Sequence, residues 1–401
     1  MTAFTASTAS TASTASTAST ASTASTASTA STASTASAGV QDSAGLYDGA
    51  TAIGLIVARD GIHGKWEDAG LKPKPRGVNA AVNLGDWSRM VRSEVIMTDL
   101  VSCLGYAKAW PKDADICVYH RADAISPKDE LVSTNFPLMS FARPDDDKLK
   151  AQLGIVRAYA DLRIDRLQEI QTQAGAPIPY LAAIAGVQPS RFPYTHELMG
   201  IAQGLATNVV LRVKHALACP RPDAFSYQMQ PVIPTPGHAT LPSGHATESH
   251  CVSMVLAGLL QEQAQNKHYL LRMLLRQSAR IAVNRTVAGV HFPADSIAGA
   301  ALGVVLGKYL VQRSSGDASC LKPIKFDGNG IDANTNFTAS WLEGELNPSN
   351  PLDLNPLWSG IVEKWPSTTV LSDDQFKSEP LEWLWNKAQA EWCDVQAEDC
   401  A

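Results

Sequence analysis

Three short stretches carry side chains whose types and spacing suit one chemistry: Lys214 with Arg221-Pro222 seven positions on, Pro242-Ser243-Gly244-His245, and Arg285 with His291 and Asp295 six and ten positions on. Two guanidinium groups and one ammonium can neutralise a multiply charged tetrahedral anion, and Arg221 and Arg285 offer planar forks that match pairs of oxygens. A helix beginning at Ser243 and Gly244 adds backbone amides and its positive end, and Gly244 lets an anion approach the main chain. His291 can attack or ligate the central atom through one ring nitrogen, while Asp295, one helical turn on, fixes the tautomer through the other. His245 is left as proton donor and acceptor. Singly each piece is weak, since a lysine in a last helical turn suits the dipole and Ser-Gly is an ordinary helix cap.

Together the pieces resemble the Lys-x6-Arg-Pro, Pro-Ser-Gly-His and Ser-Arg-x5-His-x3-Asp signature of the type 2 phosphatidic acid phosphatase and vanadium haloperoxidase superfamily. One departure is Asn284, where the family pattern has serine; it can still hydrogen-bond. The resemblance implies a mostly helical fold and one of two activities. In a phosphatase, His291 becomes a phosphohistidine, His245 protonates the leaving alcohol, and Lys214, Arg221, Arg285, Ser243 and Gly244 stabilise the transition state. In a haloperoxidase, His291 is the vanadate ligand, Lys214 polarises bound peroxide, and halide is oxidised. His238, five residues before Ser243, stands where algal bromoperoxidases carry histidine and fungal chloroperoxidases phenylalanine, and a second imidazole there tunes peroxide protonation. Leu211, three before Lys214, departs from both patterns.

On this balance the expected function is that of a vanadate-dependent haloperoxidase acting on hydrogen peroxide and halide. The alternatives are a soluble acid phosphatase, which takes a phosphate ester and needs no cofactor, and a non-catalytic oxyanion-binding protein. The last is disfavoured, because a binding module needs the cations but not both histidines with Asp295. Thr247, Glu248 and His250 read as polar packing near the pocket, not as catalytic groups.

The elements that must position these groups are legible from periodicity. Leu198, Ile201, Leu205 and Val209 share one face of an expected helix from about His196 to His215, which ends before Pro220 and Pro222. Further helices are expected from Ser243 through Leu260, over His268 to Val290, and from Pro293 to about Gln312. Between Asp145 and Ala174, Leu149, Leu153, Val156, Ala160, Leu167 and Ile170 recur at helical steps and predict one long amphipathic helix. The expected fold class is all-α, a multi-helix bundle with the oxyanion site in its core. It divides into a disordered Thr-Ala-Ser repeat tail (1–45), an irregular, partly helical region (46–140), the core (141–320) and a C-terminal extension (321–401). Trp358, Trp365, Trp383, Trp385 and Trp392 of that extension are expected to pack back on the bundle.

Composition bounds the rest. The 401 residues, 45% hydrophobic and 18% charged, suffice for a large core, and a net charge of -6 offers no general attraction to nucleic acid. The N-terminus lacks the basic start and apolar stretch of a signal peptide, and the apolar run from Ser296 to Leu310 is short, rich in Gly and Ala, and reads as a core helix. A soluble cytoplasmic protein without a membrane span is expected, with a homodimer by analogy. Seven scattered cysteines suggest mostly buried thiols, with Cys393 and Cys400 as a pair in an oxidising compartment.

Overall fold

The computed structural model describes residues 49–62, 65, 70–71, 77–125, 131–175, 177–260, 267–319, 321–344, 346, 353–365 and 376–398. The repeat tail, Cys320 and Cys400 lie outside them. Two compact units divide the chain, Met1–Glu94 and Val95–Ala401. In the first, helix α1 (Gly49–Ile62) is followed by a 3-10 turn at Ala81–Asp86, whose end is closed by Arg92 Nη1 donating to the carbonyls of Leu84 and Trp87 at 3.4 and 3.1 Å. Helix α2 (Arg89–Ser102) begins there and runs into the second unit.

The second unit is helix-rich but not all-α. Strands β1 (Leu104–Ala107), β2 (Ile116–Ile125), β3 (Leu131–Ala142), β4 (Ile324–Asp327) and β5 (Val362–Lys364) form one mixed sheet in the order β1-β2-β3-β4-β5. All neighbours are antiparallel except β3 and β4, which run parallel with Met139 opposite Ile324. Val118, Tyr119, Thr134, Phe136 and Phe141 are β-branched and aromatic residues that suit a pleated surface. Scattered glycines and prolines around them made the stretch read as short helices and loops. Ile116, Val118, Leu138, Met139 and Phe141 are buried, and β3 reaches its parallel partner only because the C-terminal segment folds back.

The single helix expected over 145–174 is three: α3 (Asp146–Ala151), α4 (Leu153–Tyr159) and α5 (Arg163–Thr172), with a 3-10 turn at Ala160–Leu162. At the first break the buried Gln152 donates through Nε2 to the Thr335 carbonyl at 2.9 Å and accepts from the Ala294 amide at 3.2 Å. There follow α6 (Ile178–Ala185), α7 (Pro193–Leu217), α8 (Pro222–Phe225), α9 (Gly244–Leu259), α10 (Lys267–Val287), α11 (Pro293–Ser315), α12 (Ser340–Gly344) and α13 (Glu379–Glu398).

Two contacts place the helices that carry the site. Gly299, Gly303 and Gly307 recur every fourth residue along one face of α11, so they form a stripe without side chains. A Cβ on them would lie 2.5 Å from the Ser243 carbonyl oxygen, 2.4 Å from that of Thr247 and 2.5 Å from the Met254 Cβ. The stripe is what lets α9 approach α11 closely enough to bring Ser243 beside Asp295. Gly303→Ala is expected to destabilise the fold by about 1–3 kcal/mol through overpacking, measured by urea unfolding; an unchanged midpoint would show that the two helices have slack.

The second contact starts far along the chain. Phe192 cannot cap α7 with its own side chain, and Glu391 of α13 does so instead, accepting from the amides of Tyr194 and Thr195 at 2.7 and 2.9 Å. Trp392 stacks on Phe192 at 4.2 Å and donates to Thr195 Oγ1 at 3.0 Å. Trp392 and Trp383, the latter against Tyr194, thus dock on the helix whose last turn carries Lys214, whereas Trp358 packs on Trp341 and Trp365 on Trp110. Among the described residues one helix, α11, is long and apolar enough to cross a membrane, so the structure does not carry the expectation of a chain without a span; the apolar stretch of α11 is wholly buried among other elements.

Candidate active site

Lys214, Arg221, His238, Gly244, His245, Arg285 and His291 come together on the wall of one cavity of about 610 Å³. Each is placed by a local device. Lys214 sits on the last turn of α7, which ends at Ala218 in the left-handed region (φ 49°), and its Nζ donates to the carbonyls of Ala239 and Thr240 at 2.9 and 2.7 Å. Arg221 follows directly: its Nε donates to the His238 carbonyl at 2.9 Å, Nη1 to the Val290 carbonyl at 2.7 Å and Nη2 to His238 Nδ1 at 3.1 Å. One guanidinium thereby ties together two loops. His238 stands exposed at the rim.

Ser243 is the N-cap of α9, its hydroxyl oxygen accepting from the Ala246 amide at 3.5 Å, and its own amide donates to the Asp295 carbonyl at 2.9 Å. Ser243 and Asp295 are both fully buried behind the cavity wall. Gly244 and His245 are the first residues of α9 and present the helix's positive end to the cavity.

Arg285 lies on the last turn of α10, and Gly289 at φ 84° turns the chain back so that His291 reaches the same cavity. A side chain at Gly289 would strike Arg163 Nη2 at 2.7 Å. Arg163 holds this turn by donating to the carbonyls of Val287, Gln230 and Met229 at 3.0, 2.9 and 2.9 Å. Pro293 then starts α11, with Asp295 in its first turn.

The geometry fixes both histidine tautomers. His291 Nδ1 lies 2.9 Å from Asp295 Oδ2 and 3.0 Å from Thr240 Oγ1. The Thr240 hydroxyl donates its proton to that same carboxylate oxygen, which also accepts from the Phe292 amide at 2.8 Å. Both neighbours of Nδ1 are therefore acceptors, Nδ1 carries the proton, and the Nε2 lone pair is left for the cavity. His245 Nε2 lies 2.8 Å from the Gln173 carbonyl and must donate to it, which leaves the Nδ1 lone pair.

Electrostatics follow from packing cations into a largely buried pocket. Burial holds His291 well below the usual histidine range, reinforced by Lys214 and Arg221. Burial, with the charge of Arg285, pushes His245 down to about 4. Lys214 is pulled down by burial and by Arg221, Arg285 falls to about 10 by burial, and Asp295 is pushed up by burial against the bonds from Thr240 and Phe292. Most telling is Arg285: Nη2 donates to the Ile170 carbonyl at 3.0 Å, yet its Nε and Nη1 are buried without a partner. Two buried guanidinium donors left open are costly unless an acceptor comes from outside the chain.

His245 and the fully buried His250, also pushed by burial to about 4, give a stability prediction. Both stay neutral in the folded chain down to about pH 4, whereas an unfolded histidine protonates near 6.5. The unfolded state therefore binds more protons between those values. Their contribution is full above about pH 6.5 and is lost as pH falls toward 4. The thermal midpoint is expected to drop between pH 7.5 and 5 and to be partly restored by inorganic phosphate, which binds only the folded form; a flat midpoint contradicts this assignment.

Several positioning residues gave no signal in spacing. Thr240 fixes Asp295, and Gln173, at the end of α5, holds His245 through its carbonyl. Gln173 Oε1 accepts from Asn284 Nδ2 at 2.9 Å and lies 3.4 Å from Arg285 Nη2. Asn284 also donates to Glu169 at 3.0 Å and accepts from Arg166 at 3.1 Å, so the residue that departs from the family pattern builds a polar bridge from α10 to α5. Of the described cysteines, Cys117, Cys219 and Cys251 are buried free thiols, Cys103 is a partly buried one, and Cys393 is exposed.

Residues 196–316 match the PAP2 superfamily. No curated protein matches the chain. Among solved structures, the first transmembrane PAP2 type phosphatidylglycerolphosphate phosphatase from Bacillus subtilis is 23% identical over 42% of this chain and 86% of its own, with a TM-score of 0.34. The matched residues include all three motifs and each cationic or imidazole group of the cavity wall named above, so the chain carries a PAP2 superfamily domain over residues 196–316.

Proposed function

We propose that this cavity hydrolyses a phosphoric monoester through a phosphohistidine on His291. The observation that carries the reading is the pair of unpartnered Arg285 donors in the same cavity as a histidine whose Nδ1 is locked on Asp295. Phosphate brings the acceptors those donors lack, and the locked tautomer points a lone pair at phosphorus. Room also favours an ester over the haloperoxidase expected from sequence: the cavity continues past the cations into a wall of Val210, Leu211, Val232, Ile233, Pro234 and Pro236. Peroxide and halide need no such space, whereas the alcohol of an ester does.

In the forward step, His291 Nε2 attacks phosphorus, the bond to the ester oxygen breaks, and that oxygen takes a proton from His245 Nδ1. The empty site holds His245 neutral, so this proton arrives with the substrate, either on a monoanionic ester or as the bound negative charge raises the imidazole's affinity. Lys214, Arg221, Arg285 and the amides at the start of α9 hold the equatorial oxygens. Water then attacks the phosphohistidine with His245 Nδ1 as base, releasing phosphate and restoring His291. His245→Ala is expected to slow turnover by roughly 10²- to 10⁴-fold while phosphate inhibition persists; equal loss of phosphate affinity would move His245 into the anion cage.

A second reading is favoured by His238, which shares the rim with Arg221. His291 Nε2 and the same three cations suit vanadate, which when bound supplies activation of hydrogen peroxide for halide oxidation. The test is the purified chain on an aryl phosphate, without and with orthovanadate, beside a bromination assay with peroxide and bromide. Phosphate release blocked by orthovanadate is expected. No release, together with bromination by the vanadate-loaded protein, would overturn the hydrolase in favour of the peroxidase.

A further inference from the structure

Among the described residues Glu248 is the one carboxyl on the cavity wall, and nothing in the chemistry above uses it. It lies one turn beyond Gly244 on α9, and its Oε1 comes within 3.5 Å of where a Cβ on Gly244 would be. The carboxyl is therefore beside the helix end that receives the anion, where an ionised group would repel the substrate. Its neighbours on α7 hold it in place, and burial opposes its charge. Thr207 Oγ1 lies 3.0 Å from the Gln203 carbonyl and 3.2 Å from Glu248 Oε1, and has a single proton to give. The hydroxyl faces both acceptors, so Glu248 Oε1 receives a shared proton rather than a full hydrogen bond. Gln203 Nε2 meanwhile donates to Oε2 at 3.2 Å. Burial pushes this carboxyl up to about 7, against the bonds from Thr207 and Gln203 and the charge of Lys214.

A carboxyl held in this way keeps acceptor lone pairs on both oxygens, at the junction between the cation cage and the apolar wall. We infer that Glu248 is a specificity residue that accepts a hydrogen bond from a free hydroxyl next to the ester, so that the substrate class is the monophosphate of a diol with an apolar body. The assignment rests on the hydrolase reading and narrows it. It differs from a purely structural role, in which Glu248 only ties α9 to α7, because a structural role does not distinguish substrates that differ by one hydroxyl.

The experiment compares kcat/KM for a straight-chain alkyl phosphate and for its 2-hydroxy counterpart, in the full chain and in Glu248→Ala and Glu248→Gln, with inhibition by inorganic phosphate as the check on the cage. Wild type is expected to prefer the hydroxy ester by on the order of tenfold, the worth of one neutral hydrogen bond. Glu248→Ala is expected to bring the ratio to about one with phosphate inhibition unchanged, and Glu248→Gln, whose amide oxygen still accepts, to keep most of the preference. Turnover without preference in wild type, or a preference that survives in Glu248→Ala, overturns the assignment and leaves the hydrolase standing. Turnover of neither ester by wild type sinks both. Should Glu248→Ala fail to fold, the wild-type ratio and Glu248→Gln decide.

Discussion

Replacing His291 with alanine is expected to lower ester hydrolysis by roughly 10⁴-fold or more, the scale on which an enzyme loses rate when its nucleophile is removed. The size follows from the division of labour in the cavity. Lys214, Arg221 and Arg285 are held by contacts that do not involve His291: the carbonyls of Ala239 and Thr240 for the first, of His238 and Val290 for the second, and of Ile170 for the third. The variant therefore keeps an anion cage but has no lone pair to attack phosphorus. Inorganic phosphate should still inhibit or bind it, within about tenfold of wild type, as expected when a group acts mainly in the transition state. An acid-labile phosphoenzyme, trapped by rapid quench in wild type, should be absent. A variant that retains more than about one per cent of the activity would place the nucleophile elsewhere, since loss on that scale falls far short of removing a covalent step.

The second large effect belongs to Arg285. Arg285→Met is expected to reduce turnover by roughly 10²- to 10³-fold, as removal of one transition-state donor does, and to weaken phosphate inhibition alongside. Arg285→Lys should recover little, because one ammonium cannot occupy the positions of both Nε and Nη1 while also reaching the Ile170 carbonyl. Stability should move in the opposite sense. In the empty protein, Arg285 is a buried charge with two donors unmet, so an apolar replacement removes a desolvation penalty. Arg285→Met should match or exceed wild type in thermal midpoint without phosphate, and should lose the rise that phosphate produces in wild type. A lower midpoint in the phosphate-free variant would mean that Arg285 is a structural group whose open donors carry no functional meaning. Activity and phosphate-free stability, read on the same protein, thus separate the two roles.

Both predictions draw on residues that could be read in linear order and on contacts that could not. Lys214, Arg221, Ser243, Gly244, His245, Arg285, His291 and Asp295 were legible because helical periodicity and short motif spacings are local properties: a turn of helix sets which side chains share a face, and Pro293 or Ser243 marks where a helix starts. The helices over 193–217, 244–259, 267–287 and 293–315 lie close to where those signals placed them. The strands were not legible in the same way. β3 is continued by β4 and β5 from the far end of the chain, and a strand's pairing is decided by a partner whose distance along the sequence carries no pattern. The all-α expectation failed for that reason.

The amino-acid sequence by itself determined the inventory of the site: three cations, two imidazoles and a carboxylate at spacings that put each on a helix end or the turn beside it. Only the tertiary structure decided which ring nitrogen is free, because that depends on Thr240 and Gln173, which bear no fixed spacing to the histidines they hold. It also decided that Arg285 keeps two donors open and that Glu248 faces the cavity next to Thr207. Local propensity follows from neighbours along the chain. Proton positions and unmet donors follow from neighbours in space, and folding alone chooses those.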